Sequence, residues 1–181
     1  MKLRSVGKIN KYLGQLKPYT IPYGFILVID TREQEQLFKD PIDGLTIIEK
    51  ALKDGDYSIK GFESTFTIER KMISDFYSYV GRERNNKTVP KMERFKAMVD
   101  AGGFVGLAIE ASEEEVIYGF DLCQVPPEVA RQAINSFRIR YGVHVYFNKS
   151  REYIERFILD SAIKYYKTKR EVTYNGRRKS N

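Results

Sequence analysis

Short apolar runs closed by an acid recur along this chain. Residues 24–30, GFILVID, form a continuous apolar stretch that predicts a buried strand ending on Asp30. LTIIEKAL (45–52) predicts a second strand, and EQEQLF before Pro41 a short helix. GDYSIKGFESTFTIER then alternates on both sides of Gly61–Ser64, the pattern of a hairpin. MISDFYSYV brings Ile73, Phe76, Tyr77 and Val80 to one side at helical spacing, and GRERNNKTV reads as a polar loop. Pro90 opens a helix carrying Met92, Phe95 and Val99, which Gly102–Gly103 end. FVGLAIE predicts another buried strand. Pro126–Pro127 introduce a helix from about 128 to 141, VHVYF a strand, and Ser150 caps a long helix to about Tyr166. A meander followed by alternating helices and strands implies an α/β fold, a mixed central β-sheet flanked by helices.

The hairpin carries the chemistry. Folded about Gly61–Ser64, it sets Lys60 against Thr65, Ile59 against Phe66, Tyr57 against Ile68 and Asp56 against Glu69. Because strand side chains alternate, Asp56, Ser58, Lys60, Thr65, Thr67, Glu69 and Lys71 share one face, while Tyr57, Ile59, Phe66, Ile68 and Arg70 share the other. Two opposed carboxylates destabilise a sheet unless something offsets their charge. One reading of the spacing is a plain hairpin with a solvated polar face. The other is a divalent cation, Mg2+ or Mn2+, held by oxygen ligands of Asp56 and Glu69, with Lys71 orienting a water or neutralising developing charge. Asp30, at the end of the first buried strand, is a third carboxylate at a plausible strand end. The arrangement D-x(12)-E-x-K resembles the general pattern of metal-dependent phosphodiester cleavage in restriction-endonuclease-like folds, mixed central β-sheets flanked by helices. The spacing alone leaves both readings open.

Composition bounds the rest. With 42% hydrophobic residues and 24 Phe plus Tyr among 181, the chain can fill a core. It has no apolar run long enough for a bilayer and no signal-peptide pattern, and one cysteine, Cys123, excludes an intrachain disulfide. A Cys/His zinc site is implausible with only His144 to add. A reduced intracellular setting fits: cytoplasmic, DNA-associated, nuclear in a eukaryote. The net charge of +7 is uneven: residues 1–20 carry five basic groups and no acid, and residues 165–181 a net +5, leaving the middle at −3. The organisation expected is a basic extension 1–20, a globular domain 21–166 and a basic tail 167–181. Basic ends suit a polyanion, although charge alone equally describes two solvated tails.

Several motifs arrive in order. VIDTRE (28–33), LKDGDYSI (52–59) and IERKMISDF (68–76) resemble the VDxRE strand end, GDY turn and ERKxxxD motif of the nuclease domain of XPF-type structure-specific endonucleases, and GRERNN…KMERF, GLAIEAS and INSFRIRYGVHVYFNKSREYIERFI resemble its later segments. The likeness covers about residues 25–164. It implies a metal site formed by Asp30, Asp56 and Glu69, with the Arg70 carbonyl as a further oxygen, and Lys71 as the catalytic lysine. It also implies Arg32 and Glu33 at the site's edge, and Asp75 orienting basic groups. Arg70 enters with the ERK motif, although the hairpin register turns its side chain away. Arg82, Arg84, Lys91 and Arg94 would meet DNA, as would the tail residues Lys167, Lys169, Arg170, Arg177, Arg178 and Lys179. Lys91 is a departure, standing where the family tends to carry glutamine. No tandem helix-hairpin-helix signature accompanies the nuclease motifs.

The function expected is Mg2+-dependent endonucleolytic cleavage of branched or single-strand/double-strand junction DNA in repair, recombination or replication. Junction selectivity would come from the basic tails, a homodimer mate or a helix-hairpin-helix-bearing partner. The alternatives are a non-catalytic DNA-binding or scaffold subunit of a nuclease heterodimer, and RNA cleavage by the same chemistry. Cys123 reads as a small buried hydrophobe and His144 as a strand residue. Tyr153, Tyr165 and Tyr166 read as core or a dimer surface.

Overall fold

The computed structural model describes residues 19–119 and 125–179, with side chains as far as Glu171. Residues 1–18 of the basic extension, Cys123 and the side chains of Arg177, Arg178 and Lys179 lie outside the described residues. Six strands form one mixed sheet: β1 (Ile26–Ile29), β2 (Thr46–Glu49), β3 (Tyr57–Ile59), β4 (Phe66–Met72), β5 (Phe104–Glu110) and β6 (His144–Phe147), in the order β2-β1-β3-β4-β5-β6. β3 runs antiparallel to β1 and β4, and the other pairings are parallel. The helices are α1 (Ile73–Val80), α2 (Val89–Asp100), α3 (Glu113–Tyr118), α4 (Pro127–Ile139) and α5 (Arg151–Lys179). None is long and apolar enough to cross a membrane among the described residues.

The alternation in the sequence sorts the core into two layers. Phe66 and Ile68 of β4 turn with Leu27, Ile29, Tyr57 and Ile59 onto α5, where Ile154, Ile158, Ala162 and Tyr166 repeat along one helix face. Val105, Leu107 and Ile109 of β5 point to the opposite side, against Phe76 and Val80 of α1, Met92 and Phe95 of α2, and Ile134 and Phe137 of α4. Each such fully buried side chain contributes roughly 1.5–3 kcal/mol relative to exposure. The odd residues of β4 share this second side, so the polar face of the hairpin is not solvated: Ser58, Thr67 and Glu69 are all buried.

Four local expectations change. EQEQLF is irregular rather than helical, because its backbone groups are taken by distant side chains. The Leu37 N–H donates to the Tyr57 hydroxyl, the Phe38 N–H to Glu155, and Arg151 donates to the carbonyls of residues 35 and 36. Residues 84–88 of the expected polar loop wind into a wide helical turn that runs into α2. SEEE adds a helix unseen in the pattern, α3, started by a reciprocal capping box between Ser112 and Glu115. Finally, α5 continues to Lys179 instead of stopping near Tyr166.

Candidate active site

The GDY turn fixes the site. Gly55 adopts φ +78°, and a Cβ there would lie 1.9 Å from the Thr67 hydroxyl, which itself donates to the Asp54 carbonyl. The turn delivers Asp56 to a three-strand junction: its N–H donates to the Ile68 carbonyl at 2.9 Å, and its carbonyl accepts the Asp30 N–H at 2.8 Å. Tyr57 pairs with Ile68, the register the alternation predicts. The Asp56 carboxylate then accepts the Arg70 N–H at 2.7 Å. The ends of parallel β1, β4 and β5 and the start of antiparallel β3 therefore bring Asp30, Glu69, Glu110 and Asp56 to one edge of the sheet.

At the centre is Glu69, 1% exposed. Lys71 Nζ lies 2.6 Å from its Oε1, and Lys91 Nζ spans both carboxylate oxygens at 2.8 and 2.9 Å. Burial pushes the Glu69 carboxyl up, but the charges of Lys71 and Lys91 outweigh it and hold the group ionised. Asp56 goes the other way: burial, reinforced by the charge of Glu69, raises it to about 7. Burial lowers Lys71, yet Glu69 and Asp56 more than compensate, so it stands as an ammonium rather than a free base. The Tyr79 ring faces both lysines, 5.5 Å from Lys71 Nζ and 6.0 Å from Lys91 Nζ. Its hydroxyl is buried with no hydrogen-bond partner among the described residues.

The other expected residues separate into distinct groups. Asp30 is buried and its carboxylate is fully engaged: Arg32 donates through its backbone N–H, Nε and Nη2, and Leu52 through its N–H. Hydrogen bonding to Arg32 holds Asp30 down to about 2. Arg70 turns to the opposite face, as the register predicts, and is clamped between Glu33 and Glu110, at 2.9 and 2.5 Å. Asp75 lies close enough to help raise Lys71. Arg82 and Arg84 are exposed on the turn before α2. Arg94 forms a forked pair with Asp54. In the tail, Lys167 is exposed, whereas Lys169 donates to the Gly102 carbonyl and Arg170 to Tyr23. Those contacts precede β5 and β1, so this part of the basic tail sits at the end of the sheet away from Glu69.

Among the described residues, no three Asp, Glu, His or Cys side chains converge on one point as a metal cage. The three-acid set of Asp30, Asp56 and Glu69 is thus not gathered, because Arg32 and Leu52 hold Asp30. The pair Asp56–Glu69 still fits a hard cation: Mg2+ keeps several waters and needs only one or two carboxylates. A carboxyl raised by desolvation and by its neighbour's charge belongs to a pair that such a cation relieves.

Glu110, Asp54 and Tyr79 are absent from the expected site, and Lys91 was expected on DNA rather than on Glu69. Glu110 had a signal, an acid closing an apolar strand as Asp30 does. The Tyr79 and Asp54 contacts had none.

No family model and no curated protein matches the sequence. Solved structures do match in shape. XPF from Aeropyrum pernix in complex with DNA superposes with a TM-score of 0.57 and 17% identity, over 79% of this chain and 65% of that one. A second structure of XPF from Aeropyrum pernix gives 0.53 and 19%, over 75% and 61%. The chain thus spans less than two thirds of the proteins it resembles, and at these identities the likeness is one of fold: an α/β, XPF-like mixed sheet flanked by helices.

Proposed function

We propose that this chain is a metal-dependent DNA endonuclease acting on branched or junction DNA in repair, recombination or replication. The observation that carries the reading is the cluster Asp56–Glu69–Lys71: two adjacent carboxylates and an ammonium near the strand ends, with Glu69 buried and Lys71 held against it at 2.6 Å. Asp56 and Glu69 would hold a Mg2+ or Mn2+ ion, which supplies Lewis-acid polarisation of a phosphoryl oxygen and a lowered pKa for bound water. Lys71, kept charged by both acids, neutralises charge that develops on the phosphate. Arg70, fixed by Glu33 and Glu110, holds the end of β4 and so the spacing of Glu69 and Lys71. Asp75 keeps Lys71 charged, and Arg32 fixes Asp30 at the site's edge.

Arg82 and Arg84, exposed between α1 and α2, would supply backbone-phosphate contacts. The DNA bound to XPF from Aeropyrum pernix supports DNA as the partner. Junction selectivity then falls to a homodimer mate or a partner bearing helix-hairpin-helix modules. A non-catalytic scaffold subunit is the second reading; the complete set of Asp56, Glu69 and Lys71 disfavours it.

The test is cleavage of matched flap, duplex and RNA substrates across a Mg2+ titration. Metal-dependent incision of flap DNA, lost in Lys71→Ala, is the expected result. No incision of any DNA form with Mg2+ or Mn2+ would sink the proposal.

A further inference from the structure

The position between the two oxygens of Glu69 is taken by Lys91, not by Lys71. Lys91 Nζ reaches Oε1 and Oε2 at 2.8 and 2.9 Å, and Lys71 Nζ stands 2.6 Å from Oε1. Two ammonium groups on one oxygen repel each other, so Lys91 stays only while Glu69 demands a second cation. Among the described residues its head otherwise faces the Tyr79 ring, 6.0 Å away. Its side chain is 26% exposed on α2, and a four-carbon stem lets it swing to solvent.

The charge count points the same way. Asp56, Glu69 and one nucleic-acid phosphodiester carry three negative charges; a divalent cation and Lys71 carry three positive ones. Lys91 is then surplus, and a divalent ion approaching Glu69 meets its ammonium head-on.

We infer that Lys91 is a displaceable counter-ion: it stands on Glu69 in the metal-free chain and leaves when a divalent cation binds there. The inference rests on the metal-dependent reading above and goes beyond it, since it makes the lysine and the metal competitors for one carboxylate. Metal affinity is thereby kept low until binding is completed by a phosphate, which the freed Lys91 can also meet.

The test uses the full chain and Mn2+ alone, with binding followed by calorimetry and by the loss of the free-ion electron paramagnetic resonance signal. Lys91→Gln removes the competitor and should tighten Mn2+ binding by about tenfold or more, roughly 1.4 kcal/mol or more. Lys91→Arg replaces the point charge with a fork matched to the carboxylate and should weaken it. Lys96→Gln, on the same helix but paired with Asp100, should leave it unchanged. Thermal melts check that each variant is folded. If wild type binds Mn2+ and neither Lys91 variant moves the affinity away from the Lys96 control, the inference fails while the metal site stands. If Mn2+ binds none of the four folded proteins, the metal-dependent reading fails and the inference with it.

Discussion

The carboxylate of Asp56 accepts the backbone N–H of Arg70 at 2.7 Å. This bond ties an acid from the GDY turn to the strand that carries Glu69 and Lys71, so the two carboxylates keep their spacing whether or not a cation is present. Asp56→Asn preserves that acceptor and removes the charge that Glu69 opposes. Incision should fall at least about 100-fold, equivalent to some 2.7 kcal/mol of transition-state stabilisation, with the melting temperature unchanged or raised. Single-turnover cleavage and a thermal melt read the two effects separately.

Arg70 should behave in the reverse sense. Arg70→Ala leaves Glu33 and Glu110 facing each other with their shared cation gone, both nearly buried. Loss of one partner from such a buried network costs about 3–5 kcal/mol. Urea denaturation should register that cost, and a variant as stable as wild type would mean the clamp does not hold the strand.

Two glycines of positive φ separate backbone strain from collision. Gly61→Ala places its Cβ in open space and should cost about 1–2 kcal/mol, the backbone penalty alone. Gly55→Ala adds a clash with the Thr67 hydroxyl and should cost clearly more, about 2–4 kcal/mol. Equal losses in a denaturant titration would contradict the tight turn behind Asp56.

Acid stability should report on Asp30. Its carboxyl is held at about 2 against an ordinary 3.8, so the unfolded chain binds the proton more readily than the folded one. Stability from this pair is therefore complete above about pH 4 and lost as pH falls toward 2. Because Arg32 is 69% exposed, the contribution is about 1 kcal/mol. Asp30→Asn should lower stability at neutral pH and flatten the profile between pH 4 and 2, measured by urea melts at each pH.

The face-sharing of Asp56, Glu69 and Lys71 was legible from sequence because strand alternation and a short turn are local rules. The outward turn of Arg70 followed from the same rule. Lys91 on Glu69 was not legible: it depends on how α2 packs across the sheet, 22 residues along the chain. Glu110 on Arg70 depends on β5 joining β4 in parallel, with Arg70 beside Ala108. EQEQLF misled because propensity cannot register Tyr57, Glu155 and Arg151 drawing off its backbone bonds. Asp30 was placed at the right edge, but its spacing could not reveal that Arg32, two residues on, would occupy its carboxylate.

On the proposed reading, Asp56 and Glu69 together hold the cation that cleavage requires. Anomalous scattering from crystals of the full chain soaked in Mn2+ tests it most directly. A peak between the two carboxylates, with Lys91 turned away from Glu69, is the predicted result. Full Mn2+ occupancy elsewhere with the Asp56–Glu69 pair empty, in crystals whose protein cuts DNA, would contradict it.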